Sequence, residues 1–140
     1  MQEAVAILQK YWKHDQFRSL QNEIIDSVLS GRDTFALMPT GGGKSICFQV
    51  PAMMQEGICL VISPLVALMK DQVGNLQNRD IKAIALTGGI KSDEMIALLD
   101  NCQFGNYKFL YLSHERVQAD WILKRIKNLP INLIAVDEGN

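Results

Sequence analysis

The run Met38-Pro39-Thr40-Gly41-Gly42-Gly43-Lys44-Ser45 has the residue types and spacing needed to hold a chain of phosphates. Its consecutive glycines allow a closeness of approach that a Cβ hinders, so successive N–H groups can turn inward around phosphate oxygens. A helix starting directly afterwards adds its unsatisfied N-terminal donors and the positive end of its dipole. In that setting Lys44 reaches the β- and γ-phosphates of a nucleotide, and the Ser45 hydroxyl serves Mg²⁺. The run departs from the strict G-x-x-x-x-G-K-[ST] pattern because Met38 stands at the first glycine. A complementary signal is the acidic pair Asp137-Glu138, which follows the apolar run 131–136. In a nucleoside-triphosphatase the first such carboxylate holds Mg²⁺, and the second orients or deprotonates the attacking water. An acidic pair after a strand is weak alone; the phosphate loop in the same chain gives it weight.

These groups need a scaffold. Val5, Leu8 and Trp12 share one helical face, and Ile24, Ile25, Val28 and Leu29 mark a second helix that Gly31 stops. Apolar or β-branched runs at about 33–38, 58–63, 82–87, 108–112 and 131–136 read as strands, and helical patterns lie between them at about 43–54, 65–77, 92–102 and 115–128. Strands this uniformly apolar, alternating with helices, predict an α/β fold: a doubly wound, mainly parallel sheet flanked by helices. Ligands in such sheets gather at the carboxyl ends of the strands, where both chemical signals fall.

Composition narrows the alternatives. At 140 residues the chain has room for one ordinary domain. Hydrophobic residues at 48% and charged residues at 21% are those of a globular protein, so a disordered tail is excluded. With 14 basic and 15 acidic residues the net charge is −1, which excludes binding driven by a polybasic surface alone. Cys47, Cys59 and Cys102 lie far apart without C-x-x-C spacing, which points to reduced, buried thiols and a cytoplasmic setting rather than zinc or a disulfide framework. The longest apolar stretch is broken by Ser63-Pro64, so no membrane segment is expected.

Several motifs in order resemble the N-terminal motor domain of RecQ-family ATP-dependent DNA helicases, of superfamily 2, over nearly the whole chain. Phe17-Arg18-Ser19-Leu20-Gln21 is similar to the family's adenine-recognition motif, MPTGGGKS to its phosphate loop, and Cys47-Phe48-Gln49-Val50-Pro51-Ala52 to the continuation of that loop. The segment from Ser63-Pro64-Leu65 to Asp71-Gln72-Val73 is similar to motif Ia, Tyr111-Leu112-Ser113-His114-Glu115-Arg116 to the Y-x-x-P-E-R segment, and Asp137-Glu138 to the start of a D-E-A-H box. The resemblance implies a P-loop, RecA-like fold, with helices and the base-recognition motif at 1–31 and the α/β core at 32–140. It implies ATP and Mg²⁺ as cofactors, single-stranded or partly duplex DNA as partner, 3′-to-5′ unwinding in recombination and repair, and a nucleoid-associated location. His14, Arg18 and Gln21 then face the base, Thr40, Gly41, Gly42, Gly43, Lys44 and Ser45 the phosphates, and Ser45 and Asp137 the Mg²⁺. Lys44 and Glu138 carry the catalytic role.

Physical chemistry supports these roles. The Gln21 amide presents an acceptor and donors on one plane, as the N6 and N7 edge of adenine requires. His14 stands where the family usually carries a stacking tyrosine, preceded by Lys13 where glycine is common. An imidazole stacks over less area and changes charge near physiological pH, so weaker, pH-sensitive base affinity is expected. For DNA, Ser63 at a strand end and Pro64 in the first turn of the next helix could take a phosphate without net positive charge, and Lys70 adds an ionic contact. Thr87 and Gly88 follow another strand, where a backbone contact and a plain turn are equally open. His114 replaces the proline of Y-x-x-P-E-R, which is expected to remove a rigid turn.

Gly139-Asn140 stands in place of the Ala-His of the box, and the resemblance then calls for further strands and a second RecA-like domain with an arginine finger. The expectation is a partial first motor domain, incomplete at its C-terminus, competent at most for ATP and weak DNA binding and not for unwinding. If run 131–136 lies inside the sheet, an uncovered apolar edge would favour self-association. Two alternatives stand beside the motor: a non-catalytic nucleotide- and nucleic-acid-binding module, and a P-loop kinase for small molecules, in which the Gln21 and Ser63-Pro64 segments would have no role.

Overall fold

The computed structural model describes residues 2–36, 43–87 and 90–137. The chain divides into two compact units, residues 1–56 with Asn140 and residues 57–139.

The first unit is helical. Helix α1 (Gln2–Ile7) runs directly into one π-helical turn (Leu8–Trp12), followed by α2 (Ser19–Leu29) and α3 (Ile46–Met53). Ala4, Leu8 and Trp12 are buried, as are Ile24 and Ile25 of α2 and Val50 and Ala52 of α3. The π-helical turn ends at Lys13, whose φ of 62° is left-handed. A glycine would take that conformation without a Cβ penalty, a physical reason for glycine to be common where Lys13 stands.

The expected first strand is not present at residues 33–36, which take irregular backbone and pair with no strand among the described residues; residues 37 and 38 lie outside these. Thr34 explains part of this. Its hydroxyl donates to the Arg32 carbonyl at 3.1 Å and lies 2.9 Å from the Ser27 hydroxyl, local bonds that compete with strand pairing. Phe35, within the run read as that strand, is exposed.

The second unit is a four-stranded parallel sheet with helices between its strands. In chain order these are β1 (Ile58–Ser63), α4 (Val66–Asn78), β2 (Ala83–Leu86), α5 (Ser92–Phe104), β3 (Phe109–Ser113), α6 (His114–Val117), α7 (Asp120–Ile126) and β4 (Ile131–Val136). The sheet order is β2-β3-β1-β4, and every pairing is parallel. Period-two alternation sorts the strand residues. Ile58 and Leu60, Leu110 and Leu112, and Leu86 form one core with Met95, Leu99 and Cys102 of α5 and Ile122 and Ile126 of α7. Phe109 and Tyr111 point to the opposite face, where α4 packs with Met69, Val73 and Leu76 buried. Helices thus cover both faces, as the doubly wound reading requires.

Some boundaries differ from expectation. The helix read over 115–128 is two helices, because Ala119 takes an extended ψ of 123° and starts α7 afresh. Strand β4 is an edge of the described sheet rather than an interior strand, and Ile134 and Val136 on it are exposed. Among the described residues, no helix is long and apolar enough to cross a membrane.

Candidate nucleotide and nucleic-acid sites

In the first unit, His14, Gln16, Arg18, Gln21 and Gly43 line one cavity of about 250 Å³ with Leu8 and Ile46. All three residues read as base contacts are therefore brought together beside the last glycine of the phosphate loop. Gln21 organises the wall. Its Oε1 accepts from the Arg18 backbone N–H at 2.9 Å, satisfying a donor at the start of α2, and its Nε2 donates to the Gly43 carbonyl at 3.1 Å. Gly43 has a φ of 76°, and a Cβ there would lie 2.5 Å from Gln21 Nε2. The left-handed backbone favours glycine, and a Cβ would also force the end of the Gln21 side chain to shift.

From Gly43 the chain winds into α3. The Ile46 N–H donates to the Gly43 carbonyl at 3.2 Å, and the Gln49 N–H donates to the Ser45 carbonyl at 2.9 Å. Lys44 and Ser45 thus lie half-buried in the turn that opens the helix. Thr40, Gly41 and Gly42 lie outside the described residues.

In the second unit the carboxyl ends of four adjacent strands carry a row of buried oxygen-bearing side chains. In sheet order these are Thr87 after β2, Ser113 ending β3, Ser63 ending β1 and Asp137 after β4, each less than a tenth exposed. Ser63 and Ser113 are register partners. The Asp137 N–H donates to the Ile62 carbonyl at 2.9 Å, so β1–β4 pairing continues up to the carboxylate. In open α/β sheets this is the end at which ligands collect. Glu138 and Gly88 lie outside the described residues.

The described residues read as DNA contacts fall at strand ends and helix starts of the second unit. The Ser63 Oγ accepts from the Leu65 N–H at 3.2 Å, which tightens the exit from β1. Pro64 precedes the N-cap, Leu65, instead of lying in the first turn of α4: the chain needs one more extended residue to turn from strand to helix. Pro64 and Lys70 are exposed. His114 is the first residue of α6 after an extended Ser113, so the turn forms without proline, as helix starts tolerate many residues at a position proline merely favours.

Sequence reasoning missed several contributors. Ser113 was passed over, though like Ser63 and Asp137 it directly follows an apolar strand run; its Oγ is buried and finds no hydrogen-bond partner among the described residues. Arg116 donates through Nη2 to the carbonyls of Thr87 at 3.3 Å and Ile90 at 3.2 Å, clamping both sides of the glycine pair after β2. Gln72 and Tyr111 join Asp137 in a network that no linear spacing reveals.

Among the described residues no group of three or more His, Cys, Asp or Glu could hold a metal ion. The oxygen donors read as Mg²⁺ contacts, the Ser45 hydroxyl and the Asp137 carboxylate, are of the hard type this ion takes when phosphates and waters complete its shell.

Comparison with known proteins agrees with this picture. The family model for "DEAD/DEAH box helicase" matches residues 18–140. The chain is 42% identical over 134 residues to the probable ATP-dependent DNA helicase RecS of Bacillus subtilis, covering 95% of this chain and 27% of that protein. It is 42% identical over 135 residues to the ATP-dependent DNA helicase RecQ of Synechocystis, covering 95% of this chain and 28% of that protein. The chain thus spans about a quarter of the length of the curated relatives it matches. The C-terminal part of the Fun30 ATPase domain is a loose structural likeness, at a TM-score of 0.49 and 12% identity, covering 86% of this chain and 48% of that one. With the family model matched over most of its length, the chain belongs to the DEAD/DEAH box helicases, and its relatives there include RecQ-type enzymes.

Proposed function

We propose that this chain is the nucleotide-binding part of a RecQ-type motor, which binds ATP with Mg²⁺ and couples its hydrolysis to 3′-to-5′ movement along single-stranded DNA. The observation that carries this reading is the cavity lined by His14, Arg18 and Gln21, tied to the phosphate loop by the Gln21–Gly43 hydrogen bond. A carboxamide has two N–H hydrogens and two oxygen lone pairs. Gln21 can therefore keep both of its backbone bonds and still offer one donor and one acceptor to an adenine edge.

In this reading His14 and Arg18 pack against the base, and the main-chain amides from Thr40 to Gly43 wrap the phosphates. Lys44 neutralises charge on the β- and γ-phosphates. Ser45 and Asp137 supply oxygen ligands to Mg²⁺, which when bound offsets the charge that builds on the transferring phosphoryl group. Glu138 takes a proton from the attacking water or orients it. Ser63, Pro64, Lys70, Thr87 and Gly88 lie along the DNA backbone, positioning the strand without reading its sequence.

Titration with a fluorescent ATP analogue tests the reading. Lys44→Ala is expected to weaken binding by about tenfold or more, since a charge-assisted phosphate contact is worth roughly 1.5–3 kcal/mol. Gln21→Ala is expected to narrow the preference for ATP over GTP. Binding unchanged in Lys44→Ala would overturn the phosphate-loop assignment, whereas retained adenine preference in Gln21→Ala would remove only base recognition.

A further inference from the structure

Three elements of the second unit converge on Asp137. Its backbone is fixed to β1 through the Ile62 carbonyl, and its side chain lies 8% exposed at the carboxyl end of the sheet. From α4, the Gln72 Nε2 lies 3.5 Å from Asp137 Oδ2. From β3, the Tyr111 hydroxyl donates to Gln72 Oε1 at 2.6 Å. Tyr111 itself is 1% exposed and held in the core face under α4, so its hydroxyl is a fixed point.

The chemistry of the three groups leaves one arrangement of the amide. A carboxylate only accepts, so the Gln72 amino group must face Asp137 and its carbonyl must face Tyr111, whose O–H then donates. The reversed amide would set an oxygen against the carboxylate. The carboxylate thus selects the orientation in which Gln72 presents a donor, and the short bond from Tyr111 holds the amide in it.

We infer that Gln72, anchored by Tyr111, is a positioning residue for Asp137: it holds Oδ2 so that the other carboxylate oxygen is presented to Mg²⁺. The inference rests on the reading of Asp137 as a Mg²⁺ carboxylate. Carboxylates that bind metals are themselves commonly hydrogen-bonded, and loss of such an outer partner typically weakens metal affinity ~10–100-fold.

The test is the Mg²⁺ concentration that half-maximally enhances binding of a fluorescent ATP analogue to the full chain, with affinity in EDTA as the reference. Gln72→Met, which keeps length and volume but not the donor, is expected to raise that concentration about tenfold with EDTA affinity unchanged. Tyr111→Phe, which removes the anchor on the Gln72 carbonyl, is expected to shift it the same way by less. In an Asp137→Ala background Gln72→Met is expected to add nothing. If Asp137→Ala itself leaves the Mg²⁺ dependence intact, the underlying reading of Asp137 fails. If Asp137→Ala abolishes it while Gln72→Met behaves as wild type, or if the Gln72→Met shift persists without Asp137, the positioning role alone is overturned. Should Gln72→Met not fold, Tyr111→Phe decides by the same comparison.

Discussion

Gly43 shows how one residue serves backbone and site together. Its positive φ opens the turn into α3, its carbonyl accepts from both Ile46 and Gln21, and a Cβ would push the Gln21 amide aside. Gly43→Ala is therefore strained twice, by left-handed backbone costing about 1–2 kcal/mol and by displacement of Gln21. The expected outcome is a loss of roughly tenfold or more in affinity for a fluorescent ATP analogue, together with a lower melting temperature. Unchanged affinity would show that the Gln21–Gly43 bond has no part in nucleotide binding. Gly43 and Gln21 are both legible in the sequence as members of motifs, but their direct bond is not, because they are 22 residues apart.

At the scale of elements, the β2–α5 connection is held by a guanidinium that sequence reading left unassigned. Arg116 reaches from α6 to the carbonyls of Thr87 and Ile90, and the two N–H groups of its Nη2 serve one acceptor each. Arg116→Ala is expected to speed amide hydrogen exchange around residues 87–91 by about tenfold or more, since bonds to charged donors are worth roughly 1.5–3 kcal/mol. Strands β1 and β3 should exchange as before. Exchange identical to wild type in Arg116→Ala would contradict the clamp. If this connection contacts DNA as proposed, single-strand affinity falls in parallel.

Across the whole molecule, burial governs the three thiols. Desolvation pushes Cys47 and Cys102 up to about 11 and Cys59 up to about 12, from an ordinary 9.0. Well below pH 9 the thiols are protonated in folded and unfolded chains alike and stability is unaffected. As pH rises above 9 the unfolded chain loses these protons first, so stability falls, by about 1 kcal/mol per thiol near pH 10. Urea unfolding at pH 8 and pH 10 should show a smaller drop for Cys59→Ala than for wild type, and equal drops would refute the assignment. The native thiols should also resist alkylation at pH 8, as protonated buried sulfurs do.

The sequence by itself determined the α/β class, the approximate place of four strands and their helices, and the motif residues, because these depend on local periodicity and on residue types at short spacing. It misread residues 33–36 as strand, since apolar character alone does not register the Thr34 side-chain bonds that hold that backbone otherwise. Only the tertiary structure decided the strand order β2-β3-β1-β4, and with it the alignment of Thr87, Ser113, Ser63 and Asp137 along one edge of the sheet. The same holds for Gln72 between Tyr111 and Asp137, residues 39 and 65 positions away in the chain. Parallel pairing brings distant segments side by side through crossovers, and linear spacing carries no information about which strand becomes whose neighbour.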